Sequence, residues 1–151
     1  MRQQSPVAPT VLVIDDNRAT ARALGKILAQ RGFEPVVFER GTPALDYAGA
    51  SPTPAAAVVD VHLPDINGLV LAKSLRERFG PRVPIIILSG DTSMQTLNSL
   101  PHVGATYFFP KPVNAGSLID RLHEFLADAG RADDAVPTEQ LAEDDQPYAG
   151  A

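Results

Sequence analysis

The stretch Ala55–Gly68, AAAVVDVHLPDING, places a carboxylate, Asp60, at the end of a run of small and branched apolar residues. Such a run reads as a buried β-strand. An isolated buried carboxylate is costly enough that it would protonate or be replaced unless the fold supplies partners. Those partners must come from elsewhere in the chain.

Four more short runs have the same character: TVLVID (10–15), FEPVVF (33–38), VPIIILS (83–89) and ATYFF (105–109). With AAAVVD (55–60) they predict five strands. Three of them show little alternation, the pattern of strands covered on both faces in a parallel sheet. Helical patterns lie between them. NRATARALGKILAQRG (17–32) puts Ala23, Leu24, Ile27 and Leu28 on one face, with Gly32 as a stop. GTPALDYAGA (41–50), NGLVLAKSLRERFG (67–80) and DTSMQTLNSL (91–100), ended by Pro101, follow. NAGSLIDRLHEFLADAG (114–130) carries Leu118, Ile119, Leu122, Phe125 and Leu126 in a wide apolar stripe. The alternation βαβαβαβαβα predicts an α/β fold, a doubly wound five-stranded parallel sheet with helices on both faces.

Ligands of such sheets bind beyond the carboxyl ends of the strands. Asp15 and Asp16 end the first predicted strand, Asp60 the third and Ser89 the fourth, and Lys111 follows the fifth. Three carboxylates at one sheet edge repel each other, and a hard divalent cation relieves that repulsion. Mg²⁺ takes oxygen ligands, commonly one or two carboxylates with waters and phosphate oxygens, so Asp15 or Asp16 with Asp60 is a suitable partial shell. A carboxylate beside such a cation can act as a nucleophile toward phosphorus. Lys111 and Ser89 can each bind oxygens of a transferred phosphoryl group.

The composition narrows the function classes. The 151 residues are 44% hydrophobic, which suits one domain with a core, and no cysteine is present for a disulfide or thiolate metal site. No apolar run approaches membrane-spanning length, and MRQQSPVAPT lacks the apolar centre of a secretory signal. The expectation is a soluble, cytoplasmic chain without membrane partners. Residues 129–151 hold six acidic residues against Arg131, which accounts for the whole net charge of −5. A neutral body without a basic cluster gives no footprint for nucleic acid. The chain thus divides into a flexible N-terminal segment (1–9), a domain (10–128) and an acidic tail (129–151) expected to be disordered.

VLVIDDN, VVDVHLPDINGL, IIILSG and GATYFFPKPV resemble, in order and spacing, the motifs of response-regulator receiver domains of the CheY-like family across residues 10–128. The resemblance implies a flavodoxin-like (βα)₅ sheet of strand order 2-1-3-4-5. It implies Asp60 as phosphoacceptor, Asp15 and Asp16 as the metal-binding pair, and the backbone carbonyl of His62 as a further metal ligand. It implies Ser89 as the switch hydroxyl, Lys111 as the phosphate-contacting lysine, and a cis peptide at Lys111-Pro112. The cofactor implied is Mg²⁺, with Mn²⁺ as a substitute. Phe108 stands where the family often has Tyr, and Ser89 where Thr is commoner. His62 and Asp91 occupy the positions that tune phosphate lifetime.

The implied function is a non-enzymatic phosphoacceptor of a two-component system or phosphorelay. It would be charged by a histidine kinase or histidine phosphotransfer protein. Its output would be a downstream protein bound at the helix 4–strand 5–helix 5 surface, with no DNA-binding domain, as a monomer or a phosphorylation-linked dimer. Two alternatives stand beside it. One is a receiver-like scaffold that works without phosphorylation. The other is a haloacid-dehalogenase-type phosphatase, although that family wants a second acid where this chain has His62. A flavodoxin-like FMN site fits poorly, because DDNRAT after the first strand would repel phosphate.

Overall fold

The computed structural model describes residues 8–132. Its elements are β1 (Thr10–Ile14), α1 (Arg18–Gln30), β2 (Glu34–Phe38), α2 (Gly41–Ala50), β3 (Ala56–Asp60) and α3 (Gly68–Phe79). There follow β4 (Ile85–Ser89), α4 (Met94–Ser99), a 3₁₀ turn (Pro101–Val103), β5 (Tyr107–Pro110) and α5 (Ala115–Ala132). The five strands form one sheet in the order β2-β1-β3-β4-β5, every pairing parallel, as expected from sequence.

Strand position explains strand composition. β1, β3 and β4 are interior, and β3 and β4 are buried at every residue, so their Ala, Val, Ile and Leu face apolar layers on both sides. The edge strands β2 and β5 are only partly buried, and Pro35 sits in an edge strand, where a missing N–H is tolerated. Side chains alternate between two layers. Leu12, Ile14, Ala57, Val59, Ile85 and Ile87 pack with Ala44, Ala48, Leu71 and Leu75 of α2 and α3. Val11, Val13, Val58, Ile86 and Leu88 pack with Leu24 and Leu28 of α1 and Leu118, Ile119 and Leu122 of α5.

Several boundaries differ from expectation. α4 is shorter than 91–100, because Asp91 and Ser93 form its capping turn and Pro101 opens a 3₁₀ turn. β5 begins at Tyr107 rather than Ala105, since Gly104 closes that turn at φ 78° and the Ala105 N–H is drawn back to the Leu100 carbonyl. β4 begins at Ile85, after Pro84. Ala23, expected on the buried face of α1, is exposed. Pro9 is not loose, because its carbonyl accepts the Glu34 N–H at 2.8 Å. α5 continues through Gly130 to Ala132, so the backbone stays helical for four residues of the segment expected to be tail. The rest of that segment lies outside the described residues, as do residues 1–7. No helix among the described residues is long and apolar enough to cross a membrane.

Candidate functional site

The parallel sheet brings the ends of β1, β3 and β4 and the loop after β5 to one edge. Asp15 follows β1 and is fully buried, its backbone N–H bound to the Phe38 carbonyl at 3.0 Å. Asp16 beside it is exposed. Asn17 caps α1, its side-chain oxygen accepting the Thr20 N–H at 3.0 Å, and its own N–H donates to Asp15 Oδ1 at 2.9 Å. Helix capping thus falls to Asn17, which leaves Asp16 facing solvent at the site. Asp60, only 3% exposed, ends β3 and accepts the His62 N–H at 3.3 Å through Oδ1.

Lys111 is the partner that the buried carboxylate required. Its Nζ lies 3.1 Å from Asp15 Oδ1, 2.9 Å from Asp15 Oδ2 and 3.3 Å from Asp60 Oδ2. The Lys111 N–H donates to the Ser89 carbonyl at 2.9 Å, fixing the loop to the end of β4, and the Lys111-Pro112 peptide is cis. Burial opposes the lysine's charge, but the hydrogen bond and field of Asp15 and the field of Asp60 outweigh it and raise its pKa. Burial first, and then the Asp15 carboxylate, push Asp60 up to about 6 against the opposing pull of Lys111 and the His62 N–H.

One ammonium does not saturate this cluster. Asp15 Oδ2 is buried, and the contact it makes is to the same Nζ, at 2.9 Å, that serves Asp15 Oδ1 and Asp60. Asp15, Asp16 and Asp60 can each offer an oxygen such that all lie within 4.8 Å of one another. An oxygen-only donor set of three carboxylates, two of them buried and sharing a single ammonium, suits a hard divalent cation, and the residues present fit Mg²⁺.

Ser89 is buried at the end of β4, its Oγ accepting the Asp91 N–H at 2.9 Å. His62 is exposed, in an isolated antiparallel bridge with Asn67. Phe108, paired in register with Ile87, is half-buried against the α2–α3 layer. Asp91 is engaged with helix α4 through both carboxylate oxygens. His102 and His123 are exposed, the latter stacked on Phe33 with ring centroids 5.1 Å apart.

Two positioning residues escaped sequence reasoning. Gly68 opens α3 directly against the Asp60 carbonyl, where a Cβ would overlap that oxygen. Asp65 accepts the Gly41 and Thr42 N–H groups at 2.8 and 2.7 Å and so caps α2 from another loop. A Gly immediately after a capping Asn, and an Asp in a Pro-containing loop, were the available signals, but neither says what it will touch.

The model of the response regulator receiver domain matches residues 11–123. The photosynthetic apparatus regulatory protein RegA of Rhodovulum sulfidophilum is 36% identical over 110 residues, covering 73% of this chain and 59% of that protein. The chain therefore spans a little over half the length of that curated relative. A CheY-like receiver domain protein from Methanospirillum hungatei JF-1 superposes with TM-score 0.78 at 23% identity, covering 83% of this chain and 98% of that one. A response regulator protein from Burkholderia pseudomallei, whose structure holds a phosphorylated aspartic acid, a calcium ion and citrate, gives TM-score 0.70 at 31% identity, covering 84% and 73%. The chain belongs to the response regulator receiver domain family. It is thus a receiver of two-component signal transduction, a class of signalling domain that is in general not catalytic.

Proposed function

We propose that Asp60 accepts a phosphoryl group from the phosphohistidine of a histidine kinase or histidine phosphotransfer protein. A carboxylate oxygen of Asp60 bonds to phosphorus, the P–N bond breaks, and the imidazole leaves as the neutral base after taking up a proton. The observation that carries this reading is the ion pairing of Lys111 Nζ to both Asp15 and Asp60 at a buried strand end. Asp60 is held there by the His62 N–H, and Lys111 is placed to bind a phosphoryl oxygen as its bond to Asp60 gives way. Mg²⁺ or Mn²⁺, held by Asp15, Asp16, Asp60 and the His62 carbonyl, would offset the negative charge gathered at the site. The phosphorylated aspartic acid of the Burkholderia protein supports the same assignment by likeness.

Ser89 is the hydroxyl for a second phosphoryl oxygen, and Phe108 packs on the neighbouring strand at the register of Ile87. His62 and Asp91 flank the site and would set the access of water to the phosphoaspartate. Output passes to a downstream protein at the α4–β5–α5 surface, where Arg121 lies 4.6 Å over the Tyr107 ring and bonds Glu124 at 2.9 Å. The domain works as a monomer or as a phosphorylation-linked dimer, in the cytoplasm, with protein rather than DNA contacts as output.

The test is incubation with Mg²⁺ and acetyl phosphate, followed by intact-mass analysis. One phosphoryl group should be added to the wild type and none to Asp60→Asn. Equal incorporation in the two proteins would refute the assignment.

A further inference from the structure

The six-residue helix α4 holds to the body of the domain by little of its own surface. Thr96 is its only buried residue, and Met94 at its start is 69% exposed. A helix this short is not stable by itself, since nucleation is unfavourable and few hydrogen bonds follow it. Leu97 packs part of its side chain on the core, and the rest of what holds the helix is a polar chain that begins at Ser89. Ser89 Oγ accepts the Asp91 N–H at 2.9 Å. The Asp91 carboxylate then divides, Oδ1 accepting the Ser93 N–H at 2.9 Å and Oδ2 accepting the Thr96 hydroxyl at 2.9 Å. Ser93 closes the group, its hydroxyl oxygen accepting the Thr96 N–H at 3.3 Å and its O–H donating to Thr96 Oγ1 at the same distance.

We propose that Asp91 is the link that ties the position of helix α4 to the hydroxyl of Ser89, with Thr96 as its anchor in the helix. Both ends are buried side chains, so the link runs out of solvent at each terminus. The bonds from the Ser93 N–H and then the Thr96 hydroxyl hold the Asp91 carboxyl below the usual carboxylate range, as expected of an acceptor used on both oxygens. Displacement of the Ser89 hydroxyl must either draw Asp91 and α4 along or part from them. Either event moves the exposed Met94 and the helix face around it. The link itself is a property of the unmodified protein; its use as a switch rests on the function proposed above.

Amide hydrogen exchange of residues 94–99 tests it in the full chain. In unphosphorylated protein, Thr96→Val, which keeps shape and loses the hydroxyl, should speed exchange there about tenfold, while Thr96→Ser should restore wild-type rates. Ser89→Ala should speed the same amides although Ser89 belongs to another element, a result that a purely local role for Thr96 would not give. Folding of each variant is checked by its melting temperature. Exchange unchanged in folded Thr96→Val or Ser89→Ala would overturn the link. With acetyl phosphate and Mg²⁺, the wild type should change its α4 exchange and Thr96→Val should change no further. Phosphoryl incorporation is measured by mass in the same samples. Absence of incorporation would refute the phosphoacceptor reading, whereas incorporation without any change in wild-type α4 exchange would overturn the switch.

Discussion

Gly68 is in direct backbone contact with Asp60: a Cβ at position 68 would overlap the Asp60 carbonyl oxygen and come within 2.7 Å of Val61 Cα. The Gly68 N–H also donates to the Val61 carbonyl at 2.7 Å, so α3 starts on the strand end that presents the Asp60 carboxylate. The requirement is for space, since Gly68 has no left-handed backbone. Gly68→Ala should lower stability by about 2 kcal/mol or more, in the range of overpacking against rigid neighbours. The loss should appear as a lower urea midpoint, with slower incorporation at Asp60 from acetyl phosphate.

Asp65 gives a pH dependence. Burial opposes its charge, but the Gly41 N–H and the Thr42 hydroxyl and N–H outweigh burial and hold its carboxyl well below the usual range. The folded pKa lies beneath the unfolded one, so the unfolded chain binds more protons in the interval between them. The stability Asp65 supplies is therefore fully present above about pH 4 and lost as pH falls through the folded pKa. Arg40, the N-cap of α2, makes no side-chain capping bond, so Asp65 fills that role. Asp65→Asn should lower the melting temperature by a few degrees at pH 7, and the gap to wild type should narrow at pH 3.

Cation binding should stabilise the fold, because it relieves repulsion that exists only in the native state. Millimolar Mg²⁺ should raise the wild-type melting temperature and do so less for Asp16→Asn. In chelator, Asp60→Asn should melt above wild type by about 5 °C, since a buried carboxylate beside Asp15 is removed. A melting temperature independent of Mg²⁺ would contradict the metal assignment.

Arg76 braces the 3₁₀ turn that follows α4. Its guanidinium donates to the carbonyls of Gly80 and Val83 at 2.7 Å, to that of Gly104 at 2.8 Å, and to Thr106 Oγ1 at 3.2 Å. Arg76→Ala would leave several acceptors without this donor and should cost about 2–3 kcal/mol in urea denaturation. Phosphoryl incorporation at Asp60, on the opposite edge of the sheet, should persist below the midpoint.

The sheet was legible because burial on two faces leaves an unalternated apolar run, as AAVVD and IIILS show. The site was legible for a related reason: polar residues ending such runs must share one edge, so Asp15, Asp60 and Lys111 could be brought together before any distance was known. What stayed hidden depends on contacts between distant segments. The start of β5 follows from Thr106, whose hydroxyl accepts from Ile85 N and from Arg76 of another helix. The short α4 follows from Asp91 turning its carboxylate onto Ser93 and Thr96 instead of entering the helix. The helical pattern was followed to Gly130, yet α5 runs on to Ala132.

That extra length of α5 sets a distance between the two ends of the helix. Eighteen residues at 1.5 Å each make a rod of about 27 Å that leaves the Lys111 edge and runs antiparallel to the strands. The C-terminal end of the helix at Ala132 thus lies roughly three Debye lengths from its start beside the Lys111 edge at physiological salt. A charge at that distance adds little to the field at the carboxylate edge. The helix thus carries its own C-terminal end, the negative pole of its dipole, away from the Asp15–Asp16–Asp60 edge.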